Sequence, residues 1–341
     1  MKPVLFITGH VDANRAGGFE RLHQLVPIEL ALFGGSHQHG APPAGAPATV
    51  PHREIAQREA GALVASGDYG AVVVGTGGRV ALPAAWRAAR ARGVPFVFWA
   101  ALWRTPRTAA HLAALPLMRR IYRDCAAVVT YGPHVSDYVR AHGATRVHVA
   151  PQAVDNAFWS VAAAPRADTR FAALFVGRPA REKGLEIAVS AWQQAGIDGT
   201  FTVAGEDGPL RGGVIVAGRV DPPELRNLYG ASDVVVVPSI ATRRFIEPWG
   251  LVVNEAMNQH TAIIATDTVG AVAGGLVSDG RNGLVVPAGD ERALAAALRA
   301  LASDRERCRA LGAAGREDVR AYTQDAWAQA FATALAGSVR Q

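Results

Sequence analysis

Short apolar runs, many of them β-branched, alternate with Ala-, Arg- and Leu-rich stretches of helical period along this 341-residue chain. No other feature restricts the fold so strongly. Val- and Ile-rich runs without polar alternation suit strands buried on both faces, and such strands spaced by helices form a parallel sheet. In the first half the strand candidates are residues 4–8, 28–33, 71–75, 95–100, 126–130 and 147–150; in the second they are 171–177, 199–205, 214–218, 233–238, 262–267 and 283–287. Helices are expected between them, over 52–65 and 82–92 for example. The pattern predicts an α/β chain of two doubly wound units in succession. Residues 160–170, SVAAAPRADTR, lack an apolar period and carry a central Pro, and are expected to be the hinge. Residues 37–52 are rich in Pro, Ala and Gly and read as a surface loop, whose His37 and His39 lack the nearby third ligand that a metal site needs.

Half the residues are apolar, with 36 Gly and 20 Pro, which excludes a disordered or collagen-like chain. No apolar run reaches the ~18 residues that span a bilayer. The start, MKPVLFITGH, reads as a first strand and not as a signal peptide. Cys125 and Cys308 stand far apart, so no disulfide framework is expected and a reducing cytoplasm is the default. Through Ser160 there are 16 basic and 9 acidic residues, and after it 19 and 20, so the net charge of +6 sits in the first half. Nearly all the cations are Arg. The only lysines are Lys2 and Lys183, which makes Lys183 stand out in the interior of the sequence.

Three patterns in the second half carry candidate chemistry. Gly177 and Arg178 end one strand candidate, and Lys183 and Gly184 open the next helix. Two cations near a helix N-terminus suit a diphosphate, through fixed charge, free N–H groups and the helix dipole; a solvated turn is the alternative. Next, EPWGLVVNEAM places Glu247 and Glu255 eight residues apart with Gly250 at the expected helix start. Along one helix that spacing is ~12 Å, beyond the carboxyl separations of glycoside hydrolysis. The two carboxylates are read instead as acceptors of polyol hydroxyls, one in the loop and one in the helix. Last, residues 266–290 form a glycine loop after a strand, where backbone can approach a ligand closely. The GTGG at 75–78 is not a dinucleotide fingerprint, because a third glycine would fall at Val80 and no acidic residue follows about twenty positions on.

In order and spacing these blocks resemble the retaining glycosyltransferases of the GT-B fold, family 4. The early RAGGFERL, the APQAVDNAFW junction, the GR…KG turn, LYGASDVVVVPS, the two-Glu segment, DGRNGLVVPAGD and the terminal YTQDAWAQAFATAL share in the likeness. The resemblance implies two Rossmann-like doubly wound domains facing a cleft: an acceptor-side domain over 1–160, a hinge over 161–170, a nucleotide-sugar domain over 171–322 and a helix over 323–341 that crosses back to the first domain. It implies a hexosyltransferase of carbohydrate biosynthesis that takes its sugar from a nucleotide diphosphate sugar, a UDP- or GDP-sugar foremost. Gly177, Arg178 and Lys183 would hold the diphosphate as leaving group, Glu247 the sugar hydroxyls and Glu255 the ribose. Backbone from Trp249 through Gly250 and Leu251 to Val252 would touch sugar and phosphate, and a loop at Gly17 and Gly18 would close over the diphosphate. Two cations facing about two negative charges leave no need for a metal, and the sequence has no D-x-D.

The family's His after the fourth strand of the first domain has no counterpart in VPFVFWAALWR. On the acceptor side His10 and Asp12 read as polar contacts or ordinary loop residues. Trp99 and Trp103, with Arg104, read as an acceptor wall or core aromatics. The acceptor is expected to be a glycan, a lipid or a small natural product. Residues 111–123 read as a solvated helix or one lying on the inner face of a membrane. Nothing resembles a nucleic-acid module. A sugar-nucleotide epimerase or hydrolase on the same fold, and a sugar-nucleotide binder without catalysis, are the alternatives.

Overall fold

Strands without polar alternation suit burial on both faces, and the computed structural model gives this to the central strands of two all-parallel sheets. The structure describes residues 2–34, 49–164, 166, 168–210 and 212–339. They divide into two compact units, Met1–Asp155 with Thr323–Gln341, and Asn156–Tyr322. The first unit runs β1 (Val4–Thr8), α1 (Ala13–Leu25), β2 (Ile28–Leu32), β3 (His52–Glu54), α2 (Ala60–Ser66), β4 (Ala71–Gly75), α3 (Ala81–Arg92), β5 (Phe96–Ala100), α4 (Ala109–Asp124), β6 (Ala127–Thr130), α5 (Pro133–Ala141) and β7 (Val147–Val149). The second runs α6 (Asn156–Trp159), β8 (Phe171–Val176), a 3-10 turn (Arg181–Lys183), α7 (Leu185–Ala195), β9 (Gly199–Ala204), β10 (Ile215–Gly218), α8 (Pro222–Gly230), β11 (Val234–Val237), α9 (Val252–Asn258), β12 (Ala262–Thr266), α10 (Gly270–Ala273), β13 (Gly283–Val286), α11 (Glu291–Ser303) and α12 (Arg305–Val319). The last helix, α13 (Gln324–Val339), belongs to the first unit.

Strand order is β3-β2-β1-β4-β5-β6-β7 in one sheet and β10-β9-β8-β11-β12-β13 in the other. Both follow the doubly wound pattern. The winding reverses between β1 and β4 and between β8 and β11, and in such sheets ligands bind outside the carboxyl ends of the strands at the reversal.

Within the first unit, α13 completes the core. Phe331 and Trp327 are buried and meet Phe6, Phe19 and Trp99 at ring separations of 5.2–5.8 Å. In the second, Phe171, Trp192 and Phe201 pack together beneath α7 and α11.

Three sequence expectations change, and Trp99 takes one of its two. Residues 52–54 form an exposed edge strand beside β2, not the start of a helix; three exposed residues have no apolar alternation to announce it. The expected hinge lies within the second unit and is tied to it: Arg166 bridges to Asp233 at 3.0 Å, and Gln259 donates to the Val161 carbonyl at 2.8 Å. Gly17 and Gly18 are not in a loop. Asp12 caps α1 by accepting from the Arg15 amide, which makes both glycines helical. Helical glycine costs ~1 kcal/mol, and the reason for it is α13: a methyl at Gly17 would strike Gln324, and one at Gly18 would lie 3.1 Å from the Trp327 ring. Trp99, finally, is a core residue, 3% exposed. Its ring packs against Phe6, Trp327 and Phe331, as the core-aromatic alternative expects.

Cys125 and Cys308 are buried and unpaired, and burial, with Asp233 adding to it, pushes the Cys308 thiol up to about 12. His37 and His39 lie outside the described residues. Among the described residues no helix is long and apolar enough to cross a membrane.

Candidate functional site

The carboxyl edge of the second sheet gathers the candidate residues where β8 and β11 part. Gly177 ends β8, its amide donating to the Ala204 carbonyl at 3.0 Å, and Arg178 follows. The chain then makes the 3-10 turn and enters α7 through Gly184, whose φ of +70° is left-handed. That glycine is required twice over, because a methyl there would collide with the Pro238 carbonyl at the end of β11. Close approach lets the Ile240 amide donate to the Glu182 carbonyl at 2.9 Å, joining the turn after β8 to the loop after β11.

Across that joint Lys183 pairs with Glu247. Glu247 is 5% exposed, and its carboxylate also accepts from the Ser239 hydroxyl at 3.4 Å. Ser239 is itself fixed, its carbonyl accepting from Thr266 and Thr268. Arg178 pairs with Glu182 one turn on. Burial works to raise the Glu182 carboxyl, but the turn's own backbone hydrogen bond and the Arg178 guanidinium outweigh it and hold the group below the usual carboxylate range. The two predicted cations thus stand on one turn, each beside a carboxylate.

Glu255 sits on α9, buried, and accepts from the Tyr229 hydroxyl at 2.7 Å. Trp249 is buried as well: its indole N–H donates to Asn254 at 2.8 Å, and its ring faces Tyr322 at 5.7 Å. Gly250 has φ +92°, so the backbone can turn sharply ahead of Leu251 and Val252, and no side chain caps α9. Glu247 lies in the loop, bridged to Val269, and Glu255 in the helix.

In the first unit two of the expected acceptor residues, Asp12 and Trp99, lie beside Arg15. Asp12 serves as a helix cap, Trp103 packs edge-on against His134 at 5.2 Å, and Trp103 and Arg104 are half-buried. Residues not singled out from sequence are Arg15, Glu182, Tyr229 and Ser239. The last two lie inside the LYGASDVVVVPS block, but their partners come from segments 8–26 positions away, which no local pattern reveals.

Residues 170–304 match the family model described as Glycosyl transferases group 1. That stretch contains every candidate residue of the second unit. The chain is similar to the alpha-maltose-1-phosphate synthase of Mycolicibacterium smegmatis, 32% identical over 217 residues, which is 54% of this chain and 54% of that one. It is also similar to the D-inositol 3-phosphate glycosyltransferase of Paenarthrobacter aurescens, 31% identical over 200 residues, 49% of this chain and 47% of that one. The chain thus spans about half the length of the curated relatives it matches. Among solved structures, Anabaena Alr3699/HepE in complex with UDP and glucose superimposes with a TM-score of 0.76 at 17% identity, over 98% of this chain and 100% of that one. Sucrose-phosphate synthase from Thermosynechococcus elongatus gives 0.72 at 21% identity, over 98% of each chain. The fold is the two-domain α/β architecture of GT-B glycosyltransferases.

Proposed function

We propose that the protein is a retaining, family 4-type glycosyltransferase that needs no metal and moves a sugar from a nucleotide diphosphate sugar to an acceptor hydroxyl. The observation that carries this reading is the Lys183–Glu247 pair at the β8/β11 reversal, with Arg178 on the same turn. Lys183 has three N–H donors and Glu247 takes one; the others suit phosphoryl oxygens. The diphosphate carries about two negative charges, which Arg178 and Lys183 balance as the bond from the sugar's anomeric carbon to the phosphate oxygen breaks. Glu247, fixed by Ser239 and Lys183, accepts from the sugar hydroxyls, and Glu255, steadied by Tyr229, accepts from the ribose. The acceptor oxygen bonds to the anomeric carbon on the face the phosphate leaves, and its proton departs on the nucleotide diphosphate. No protein base is then required. The relatives named for maltose-1-phosphate and inositol 3-phosphate support a sugar or polyol acceptor, and the complex of Alr3699/HepE with UDP supports a UDP-sugar as the first donor to try.

Calorimetry and thermal unfolding with UDP, GDP, ADP and TDP test the donor site, with and without EDTA. Binding of one diphosphate that EDTA leaves unchanged, and release of that diphosphate from its sugar conjugate only when an acceptor is consumed, is the expected result. Tight binding without turnover under any acceptor would establish a binder instead, and turnover without an acceptor an epimerase or hydrolase.

A further inference from the structure

The first unit holds a guanidinium whose one carboxylate partner among the described residues stands at 3.5 Å. Arg15 lies in the first turn of α1, just past the carboxyl end of β1 and beside the β1/β4 reversal. Its guanidinium carbon sits 5.1 Å above the Trp99 ring and 6.0 Å from that of Tyr131, residues at the carboxyl ends of β5 and β6. Aromatic faces hold such a cation in place without neutralising it.

Its polar contacts are all long. Nε is 3.5 Å from Asp12 Oδ2, and Nη2 is 3.4 Å from both the Tyr131 hydroxyl and Gln152 Oε1. None reaches the ordinary range for a charge-assisted bond, ~2.7–2.9 Å. Nε is buried and makes no hydrogen bond, and neither does the buried Nε1 of Trp99 beside it. Asp12 divides its carboxylate, Oδ1 capping α1 through the Arg15 amide at 3.1 Å and Oδ2 facing the guanidinium at the longer distance. A guanidinium offers five N–H groups in a fixed planar fork, and enclosing it without short bonds is costly unless an anion completes them. With 23% of its surface open, the Arg15 side chain can be reached from solvent.

We propose that Arg15 receives a single oxyanion, phosphoryl or carboxylate, carried by the acceptor molecule. The assignment rests on the transferase reading above and adds the acceptor's charge to it. A diphosphate is the less fitting occupant: Gly17 and Gly18 lie inside α1 and form no loop of free amides to cradle one. One planar fork suits one oxyanion.

The test compares glucose 6-phosphate, glucose 1-phosphate, inositol 3-phosphate and glucuronate with glucose and inositol. Each is offered to wild type, Arg15→Lys and Arg15→Gln, with the donor diphosphate held constant, and both binding and donor turnover are read. For at least one pair the charged member should bind wild type tenfold or more tightly than its neutral counterpart. Arg15→Gln should erase that preference and Arg15→Lys restore part of it, the melting temperature serving as folding control. Preference for the phosphates over glucuronate identifies the oxyanion as phosphoryl, and the reverse as carboxylate. Equal behaviour of charged and neutral members in wild type overturns the proposal, as does an Arg15→Gln variant that keeps the preference or loses nucleotide diphosphate affinity in its place. Failure of wild type to bind any nucleotide diphosphate sinks the transferase reading instead, and the two failures are read from separate titrations.

Discussion

Lys183 reaches Glu247 across 64 positions of sequence, from the turn after β8 to the loop after β11. The pair makes the charge of one segment depend on the placement of the other. Lys183→Ala leaves a nearly buried carboxylate without its cation and should cost about 2 kcal/mol in urea unfolding, less than a fully enclosed pair because Lys183 keeps 18% of its surface. The same substitution should weaken nucleotide diphosphate binding tenfold or more by calorimetry. Glu247→Gln should lower turnover of the intact sugar nucleotide more than affinity for the bare diphosphate.

Gly184 is a geometric test of the same place. An alanine there meets both the left-handed φ and the Pro238 carbonyl, and should destabilise by about 2–4 kcal/mol. Gly196→Ala, left-handed with open space around it, should cost only about 1 kcal/mol. Equal losses in the two variants would show that the approach of the turn to β11 does not matter.

Burial pushes the Tyr229 phenol well above its ordinary value, with the Glu255 carboxylate adding to the effect, so it stays a donor across the working range. Removing the hydroxyl in Tyr229→Phe takes one buried hydrogen bond from Glu255 and should cost about 1–3 kcal/mol at neutral pH. A raised pKa in the folded state gives stability that is complete below the unfolded value near 10 and is lost as pH climbs toward the folded one. The penalty of Tyr229→Phe should therefore shrink between pH 8 and 11. Glu255→Ala should weaken nucleotide diphosphate binding more than Tyr229→Phe does.

His260 has φ +58°, and it is the one non-glycine residue with positive φ among those described. Burial first, then Arg316 and Arg320, hold its imidazole below the usual range. The unfolded chain therefore takes up a proton before the folded one as pH falls through about 6.5, and stability declines in that direction. His260→Asn tolerates the same backbone without titrating. Its melting temperature should gain on wild type from pH 7 to pH 5.

All twelve strand positions read from periodicity appear within a residue or two; the central strands show because burial on both faces requires apolar residues throughout, and the partly exposed β7 and β10 show through their Val and Ile. His52–Glu54 failed to show because an exposed edge strand depends on backbone pairing alone. The turn carrying Arg178 and Lys183 and the split of Glu247 and Glu255 between loop and helix were legible as local chemistry. Which carboxylate meets which cation was not, since Glu182 and Glu247 stand at very different distances along the chain from the cations they join. Gly17 and Gly18 misled for a related reason: glycine in a loop and glycine under a crossing helix read alike until Gln324 and Trp327 are placed.

The burial of Trp327 and Phe331 beside Phe6 and Phe19 bears on biogenesis. The amino-terminal half emerges from the ribosome lacking two rings of its own interior, and 167 intervening residues must be synthesised before they arrive. At ~5–20 residues per second that wait is on the order of ten seconds or more. Nascent β1 and α1 would spend it with an apolar surface uncovered.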